Sequence, residues 1–330
     1  MATDYLVTDT ELTSIANAIR TKGGTSASLT FPNGFVTAIG NIPSGGGSAE
    51  LDAIISRTIS GTYENSTASV VGTYAFTSCT ALTEVSFPAC KSIGTYAFSG
   101  CNNITTASFP SCISVGNSAF VNCIKMATTY FPSCATIGSN AFQYCYSLAT
   151  ASFPACITIN NSAFYSCTAL SDASFPKCTY IGTSAFYNCS KFTTASFPSC
   201  VSVLNGAFYA CFSLTTASFP VCTSVGSNAF ATCSALTTAF FSAQTTFGSS
   251  AFLRCYHLLS LYLLGSTLCS LVNANVFAST PISNYTTSTG GVNGSIYVRA
   301  SLFANYKAAT NWSLFSSRFV SLTDEQIAAL

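Results

Sequence analysis

Apolar and polar positions along most of this chain recur in one frame. From about Thr73 to Leu264 a phenylalanine returns every twenty-two residues, at Phe76, Phe98, Phe120, Phe142, Phe164, Phe186, Phe208, Phe230 and Phe252, with no slip. Within each copy a segment such as Leu82-x-x-Val85-x-Phe87-Pro88 has the spacing of a short strand, closed by a proline that cannot continue a ladder. A second apolar step, Ile93-Gly94-x-x-Ala97-Phe98, reads as the return limb, its glycine replaced only by Asn160 and Leu204. A fixed period of this size predicts a solenoid, because one copy cannot bury its apolar side alone and must stack on its neighbours. The expected fold class is an α/β-type repeat solenoid built on a parallel β-strand ladder.

The flanks break the frame. Thr8 to Glu11 offers a cap followed by acids, and Leu12, Ile15, Ala16 and Ile19 then recur at helical spacing. Leu29 to Ile42 adds an extended piece, a turn and a second apolar segment. Residues 1–43 are therefore expected to form a small helix/strand module, and residues 44–50 a Gly/Ser linker. A module too small for its own core draws stability from a partner, so 1–43 is taken as an attachment piece, with self-association as a further hypothesis. The solenoid is expected over 51–295, entered through a degenerate copy containing Val70-Val71-Gly72, and a C-terminal cap over 296–330.

Composition changes this picture in two places. Apolar residues make up 49% of the chain and charged ones 6%, a membrane-like balance. They are dispersed through the repeats, however, and the longest runs fall far short of the roughly 20 residues that a span needs. No membrane insertion is expected. The first residues carry acids and threonines where a secretory signal would have a basic start and an apolar core, so export by that route is not expected either. The seventeen cysteines suggest disulfides at first sight, yet Cys79 to Cys222 march at intervals of eleven, two per repeat. That regularity points to two buried ladders of small thiols rather than to bridges or a zinc site.

Candidate chemistry follows from comparing the copies. The outward strand positions are monotonous threonine and serine, such as Thr105-Thr106, Thr215-Thr216 and Ser218, a solvated strand-forming surface. Positions around the first cysteine, in Phe-x-x-Cys-x-x, differ from copy to copy. In register, Tyr165, Tyr187 and Tyr209 form one column, with Tyr144, Tyr146, Asn188, Phe212, Arg254, Tyr256 and His257 on the same rim. Tyrosine supplies broad, rigid contact area with a polar end, and Asn and Ser adapt by hydrogen bonding, so this rim is the expected ligand-binding site. The competing reading is that turn positions drift and the tyrosines merely cover apolar surface.

The inventory disfavours catalysis. Between Val85 and Thr323 the only carboxylate is Asp172, and His257 is the only histidine of the chain. No acid pair, triad or carboxylate-rich metal site can be assembled there, and neither cofactor nor metal is expected. A Cys255–His257 nucleophile is disfavoured because that cysteine belongs to the expected buried ladder. Over the same span eight lysines and arginines stand against one acid, a balance of +7. Scattered along a long body, this falls short of a nucleic-acid footprint but suits contact with anionic cell-wall polymers.

The pattern C-x-x-L-x-x-x-x-F-P-x-C-x-x-I-G-x-x-A-F resembles the BspA-type leucine-rich repeat, found in bacterial surface proteins and in phage and prophage proteins. This version departs from the commoner form in having twenty-two residues and a second cysteine. The segment Ile296 to Trp312 resembles that family's C-terminal cap, with Arg299 where a proline is usual. Residues 1–47 resemble, over a shorter match, the N-terminal module of tail-fibre-like proteins of phages that infect Gram-positive bacteria. The resemblance implies a non-enzymatic receptor-binding protein of a phage or prophage tail. It would be made in the bacterial cytoplasm, carried on the virion, joined to other tail proteins through 1–43, and bind a host cell-surface protein or glycan. The alternative it leaves is a bacterial cell-surface adhesin.

Overall fold

A twenty-two-residue sentence with two phenylalanines, two thiols and one glycine can close one coil. A computed structural model of the chain shows how, and it describes residues 57–243, 245–283 and 293–330. The expected module 1–43, the linker 44–50 and the entry at 51–56 lie outside the described residues. The rest is a parallel-strand solenoid of about 11 coils.

Each coil contributes one longer strand, one two-residue strand and one limb of turns. The longer strands, such as Leu82–Ser86, Thr106–Ser108 and Thr216–Phe219, pair in parallel with a shift of one repeat, so that Val85 sits opposite Ala107 and Ala217 opposite Ala239. The two-residue strands, from Val70–Val71 to Ser270–Leu271, form a second, ten-stranded ladder in which Val71 meets Ile93 and Val225 meets Phe247. The limb between them is not helical. Its amide groups alternate: in one coil Ala97, Ser99 and Cys101 close local turns, while Tyr96, Phe98 and Gly100 donate to Asn117, Ala119 and Val121 of the next coil. The backbone donors of this limb are thus satisfied without a helix, and the limb becomes a third line of bonds along the axis.

The interior is two phenylalanine columns. Phe76, Phe98 and Phe120 stack with centroids 5.0 Å apart and planes within 5°, and Phe87, Phe109 and Phe131 stack at 5.2–5.3 Å. Rings of one column meet the other edge-on, as Phe98 meets Phe109 at 5.8 Å and 66°. The edge-on meeting of the two columns is one of the arrangements that aromatic rings prefer.

The cysteines lie in two buried ladders, as their spacing predicts, and all are free thiols. From Cys90 onward each also has a hydrogen-bond partner. Cys101, Cys123 and Cys145 donate to the carbonyls of Phe76, Phe98 and Phe120 in the coil below, at 2.9–3.2 Å. The second ladder donates two residues onward, as Cys112 does to Ser114 O at 3.2 Å. A thiol here fills a small dry site and supplies a donor that alanine lacks.

Coils approach so closely at the return-limb glycines that a Cβ added to one of them would press on the backbone of the neighbouring coil. At Gly182 an added Cβ would lie 2.6 Å from the carbonyl carbon of Asn160 and 2.6 Å from the amide nitrogen of Asn161. This position is flanked in its column by the two exceptions, Asn160 below and Leu204 above, so the stack already carries two side chains there. Gly182→Ala is expected to cost about 1–3 kcal/mol, the range for overpacking a tight interior. Urea unfolding checks it, and a cost below about 0.5 kcal/mol would show slack between these coils.

At the C-terminal end the longer-strand ladder continues through Ser295–Arg299 and then Phe319–Leu322. The two-residue ladder stops at Ser270–Leu271, and side chains close its edge. The amide of Cys269 donates to Tyr306 Oη at 2.9 Å, Trp312 Nε1 donates to Cys269 O at 2.9 Å, and Asn311 Nδ2 donates to Leu271 O at 3.0 Å. An open edge is a template for aggregation, and this end has none on that side. Arg299 is bound twice, through Nε to Leu264 O at 2.8 Å and by an ion pair to Asp324.

Candidate functional site

The rim forms where the limb of turns passes its cysteine and enters the next longer strand. Because the repeat never slips, side chains one residue past each anchor phenylalanine stand directly above one another. Tyr165 and Tyr187 stack at 4.6 Å with planes 4° apart, and Tyr187 and Tyr209 at 4.8 Å and 7°. Tyr144 meets Tyr165 edge-on at 5.8 Å and 85°, and lies 5.8 Å from Tyr146. Five tyrosines therefore make one continuous strip, half-buried through the stack and exposed at Tyr146. Burial, and then the neighbouring phenols of Tyr165 and Tyr209, push the hydroxyl of Tyr187 above the ordinary tyrosine range, so it stays a neutral donor.

The column two residues past the anchor has a different origin. Its backbone is left-handed in every repeat: φ is 58° at Ser78, 71° at Gly100, 62° at Asn122, 57° at Ser166 and 56° at Asn188. Gly, Asn and Ser are the residues such a turn admits, so their presence here follows from the backbone and is no sign of adaptable binding. Asn188 is moreover turned inward on the rim, donating from Nδ2 to Ser166 Oγ at 3.2 Å. Four occupants break the rule, Ala210 at φ 59°, Thr232 at φ 60° and two large ones. Tyr144 at φ 62° and Arg254 at φ 59° hold large side chains in a conformation costing roughly 1–2 kcal/mol.

Phe212 is exposed in the column of Tyr146. Arg254, Tyr256 and His257 lie two coils beyond Tyr209, separated from it in the stack by Ala231, which is buried. Arg254 and His257 are exposed, and His257 Nδ1 lies 2.6 Å from Ser234 O. A carbonyl only accepts, so that nitrogen carries the proton. The ten candidate residues thus fall into the tyrosine strip with Asn188 beside it, exposed Phe212, and a separate basic and aromatic group around Arg254.

Sequence comparison misses a second aromatic strip. Phe240, Tyr262 and Tyr297 stack at 4.5 Å and 11–12° on the outward side of the longer strands. They occupy the serine column of Thr-Ala-Ser-Phe-Pro, and Tyr130, in that same column, is exposed. The signal was the loss of that serine at Phe240 and Tyr262. Tyr297 was hidden because the segment between the strands Ser260–Leu263 and Ser295–Arg299 is longer than one repeat, pairing Tyr262 with Tyr297.

The thiol nearest His257 in sequence is sealed in the interior. The Cys255 side chain is fully buried and donates to Phe230 O at 3.0 Å, and burial pushes its thiol far above the ordinary range. Burial likewise pushes Cys134 and Cys178 up to about 11. Asp172 is an exposed residue at the start of the strand Asp172–Ser174. Among the described residues no three His, Cys, Asp or Glu side chains come together to hold a metal, and no helix is long and apolar enough to cross a membrane.

Comparison with known proteins gives the following. The family model described as "BspA type Leucine rich repeat region" matches six copies over residues 69–193 and 157–283, together more than half of the chain. No curated protein matches. Among solved structures, a leucine-rich repeat protein from Bacteroides ovatus is 20% identical, with 81% of this chain and 85% of that one covered and a TM-score of 0.39. The pneumococcal vaccine antigen PcpA is 15% identical over 80% of this chain and 78% of its own, at a TM-score of 0.40. A leucine-rich cell surface protein from Faecalibacterium prausnitzii is 20% identical over 71% and 78%, at 0.37.

Proposed function

Since the chain belongs to the BspA-type leucine-rich repeat family, we propose that it is a recognition protein that binds a bacterial cell-surface ligand through the tyrosine strip and does no chemistry on it. One observation carries this reading. The interior columns of phenylalanine, cysteine and glycine hardly change from coil to coil, while the residue pair between anchor phenylalanine and first cysteine differs in every coil and the rim gathers five tyrosines into one strip. A run of rigid aromatics with outward hydroxyls is the composition of a protein binding surface, where a few such residues carry most of the energy. Its scaffold is rigid for the same reason that it is regular, so little ordering is lost on binding.

The finer placement is on a phage or prophage tail, with residues 1–43 as the attachment to other tail proteins. It is supported by the resemblance of residues 1–47 to tail-fibre N-terminal modules. Two measurements test the proposal together. Labelled full-length protein is applied to a panel of Gram-positive strains, and an antibody to the solenoid is applied to particles released from, and to intact cells of, the producing strain. Binding to a subset of strains, with label at particle tails, is expected. Label on intact cells alone would assign the protein to the cell surface as an adhesin, and binding to no strain would overturn the recognition reading.

A further inference from the structure

The stacked tyrosines leave one kind of surface open. With centroids 4.6 and 4.8 Å apart and planes 4° and 7° apart, the faces of Tyr165, Tyr187 and Tyr209 largely cover one another. What the column offers outward is therefore hydroxyls and ring edges. A ring edge carries the positive side of the aromatic quadrupole, and a neutral phenol is a donor. Such a row suits acceptor oxygens and is a poor platform for stacking a sugar ring or a base.

The cations of the rim recur in a column of their own that runs along the same axis. Two residues past the first cysteine, the column holds Lys125, Lys191 and His257, each three repeats from the next and all exposed. Three strand spacings of roughly 4.8 Å place these positions about 14 Å apart. Arg254 stands on the coil of His257, exposed, in a left-handed site at φ 59° where the other coils, Tyr144 aside, hold small residues or asparagine. The only ion pair among the described residues is Arg299 with Asp324, far along the chain from this row, so Lys125, Lys191 and Arg254 make no ion pair among the described residues. Asp172 lies on a longer strand and outside these columns.

We propose that the ligand of the rim is a linear polyanion lying along the solenoid axis. Its charged groups meet Lys125, Lys191 and Arg254, and its intervening oxygens meet the hydroxyls of Tyr165, Tyr187 and Tyr209. This rests on the recognition reading above and names the ligand class. Phosphate and carboxylate polymers share the chemistry, and the test separates them.

Binding of the full-length chain to polyphosphate, hyaluronan and neutral dextran is measured at 50 and 200 mM salt. At least one of the two polyanions is expected to bind, and dextran not to. Roughly three phosphate contacts, each releasing close to one counterion, weaken binding by at least about tenfold over that salt range. The variant Lys125→Gln/Lys191→Gln/Arg254→Gly is expected to lose at least tenfold. Gly suits the left-handed site, so the fold is kept. A control with equal charge loss off the rim, Lys91→Gln/Lys177→Gln/Lys307→Gln, is expected to bind as the parent does. Polyphosphate alone assigns a phosphate polymer, and hyaluronan alone a carboxylate one. Equal losses in both variants, binding of dextran, or binding of neither polyanion overturns the inference. Undiminished binding of the rim-cation variant to whole cells, alongside such a result, leaves the recognition reading standing and removes only the polyanion.

Discussion

Trp312→Ala is expected to lose about 3–5 kcal/mol from the C-terminal coils, the largest stability effect of any single side chain outside the repeats. Trp312 is fully enclosed, with Phe277 at 5.9 Å, Tyr306 at 5.4 Å and Phe319 at 6.0 Å. Alanine leaves a cavity among these rings and strands the carbonyl of Cys269, which Trp312 Nε1 satisfies at 2.9 Å. That carbonyl belongs to the edge of the two-residue ladder, so the loss falls where the ladder has no further coil. Stability in a solenoid is close to a sum of coil and neighbour terms. The damage is therefore expected to be local, with the coils around residues 245–283 opening before those around 73–160. Hydrogen exchange resolved along the chain measures this directly. Trp312→Phe keeps most of the ring burial but leaves the same carbonyl unpaired, and should cost about 1–3 kcal/mol. Protection lost evenly from all coils, or an unchanged C-terminal end, would contradict this account of the cap. The residue is also the only tryptophan of the chain, so its fluorescence in the parent protein reports on the cap alone.

The fold was legible because one frame holds from Phe76 to Phe252, and a side chain's place in that frame is its place in the stack. This is why Tyr165, Tyr187 and Tyr209 could be put in one column before any coordinates, and why the cysteines could be assigned to the interior. What the frame does not carry is backbone conformation. The left-handed turn two residues past each anchor makes Ser78, Asn122, Ser166 and Asn188 structural, and nothing in their periodicity distinguishes that from a selected surface. Nor does spacing reveal hydrogen bonds, so the thiol donation from Cys101 to Phe76 O appears only with the structure. Legibility ends where the period does. Beyond Leu264 the coil lengthens, and Tyr297, which continues the stack of Phe240 and Tyr262, cannot be placed by counting.

Two aromatic strips on one molecule make the claim about the rim sharply testable. The decisive measurement compares cell binding of the parent with two folded variants, Tyr165→Ala/Tyr187→Ala/Tyr209→Ala and Tyr262→Ala/Tyr297→Ala. Circular dichroism confirms that each keeps the solenoid. Aromatic anchors at the centre of an interface contribute about 2 kcal/mol or more each. The first variant should therefore bind at least about a hundredfold more weakly than the parent, while the second binds as the parent does. Full binding by the first variant, or loss confined to the second, would contradict the assignment and move recognition to the outward face of the longer strands.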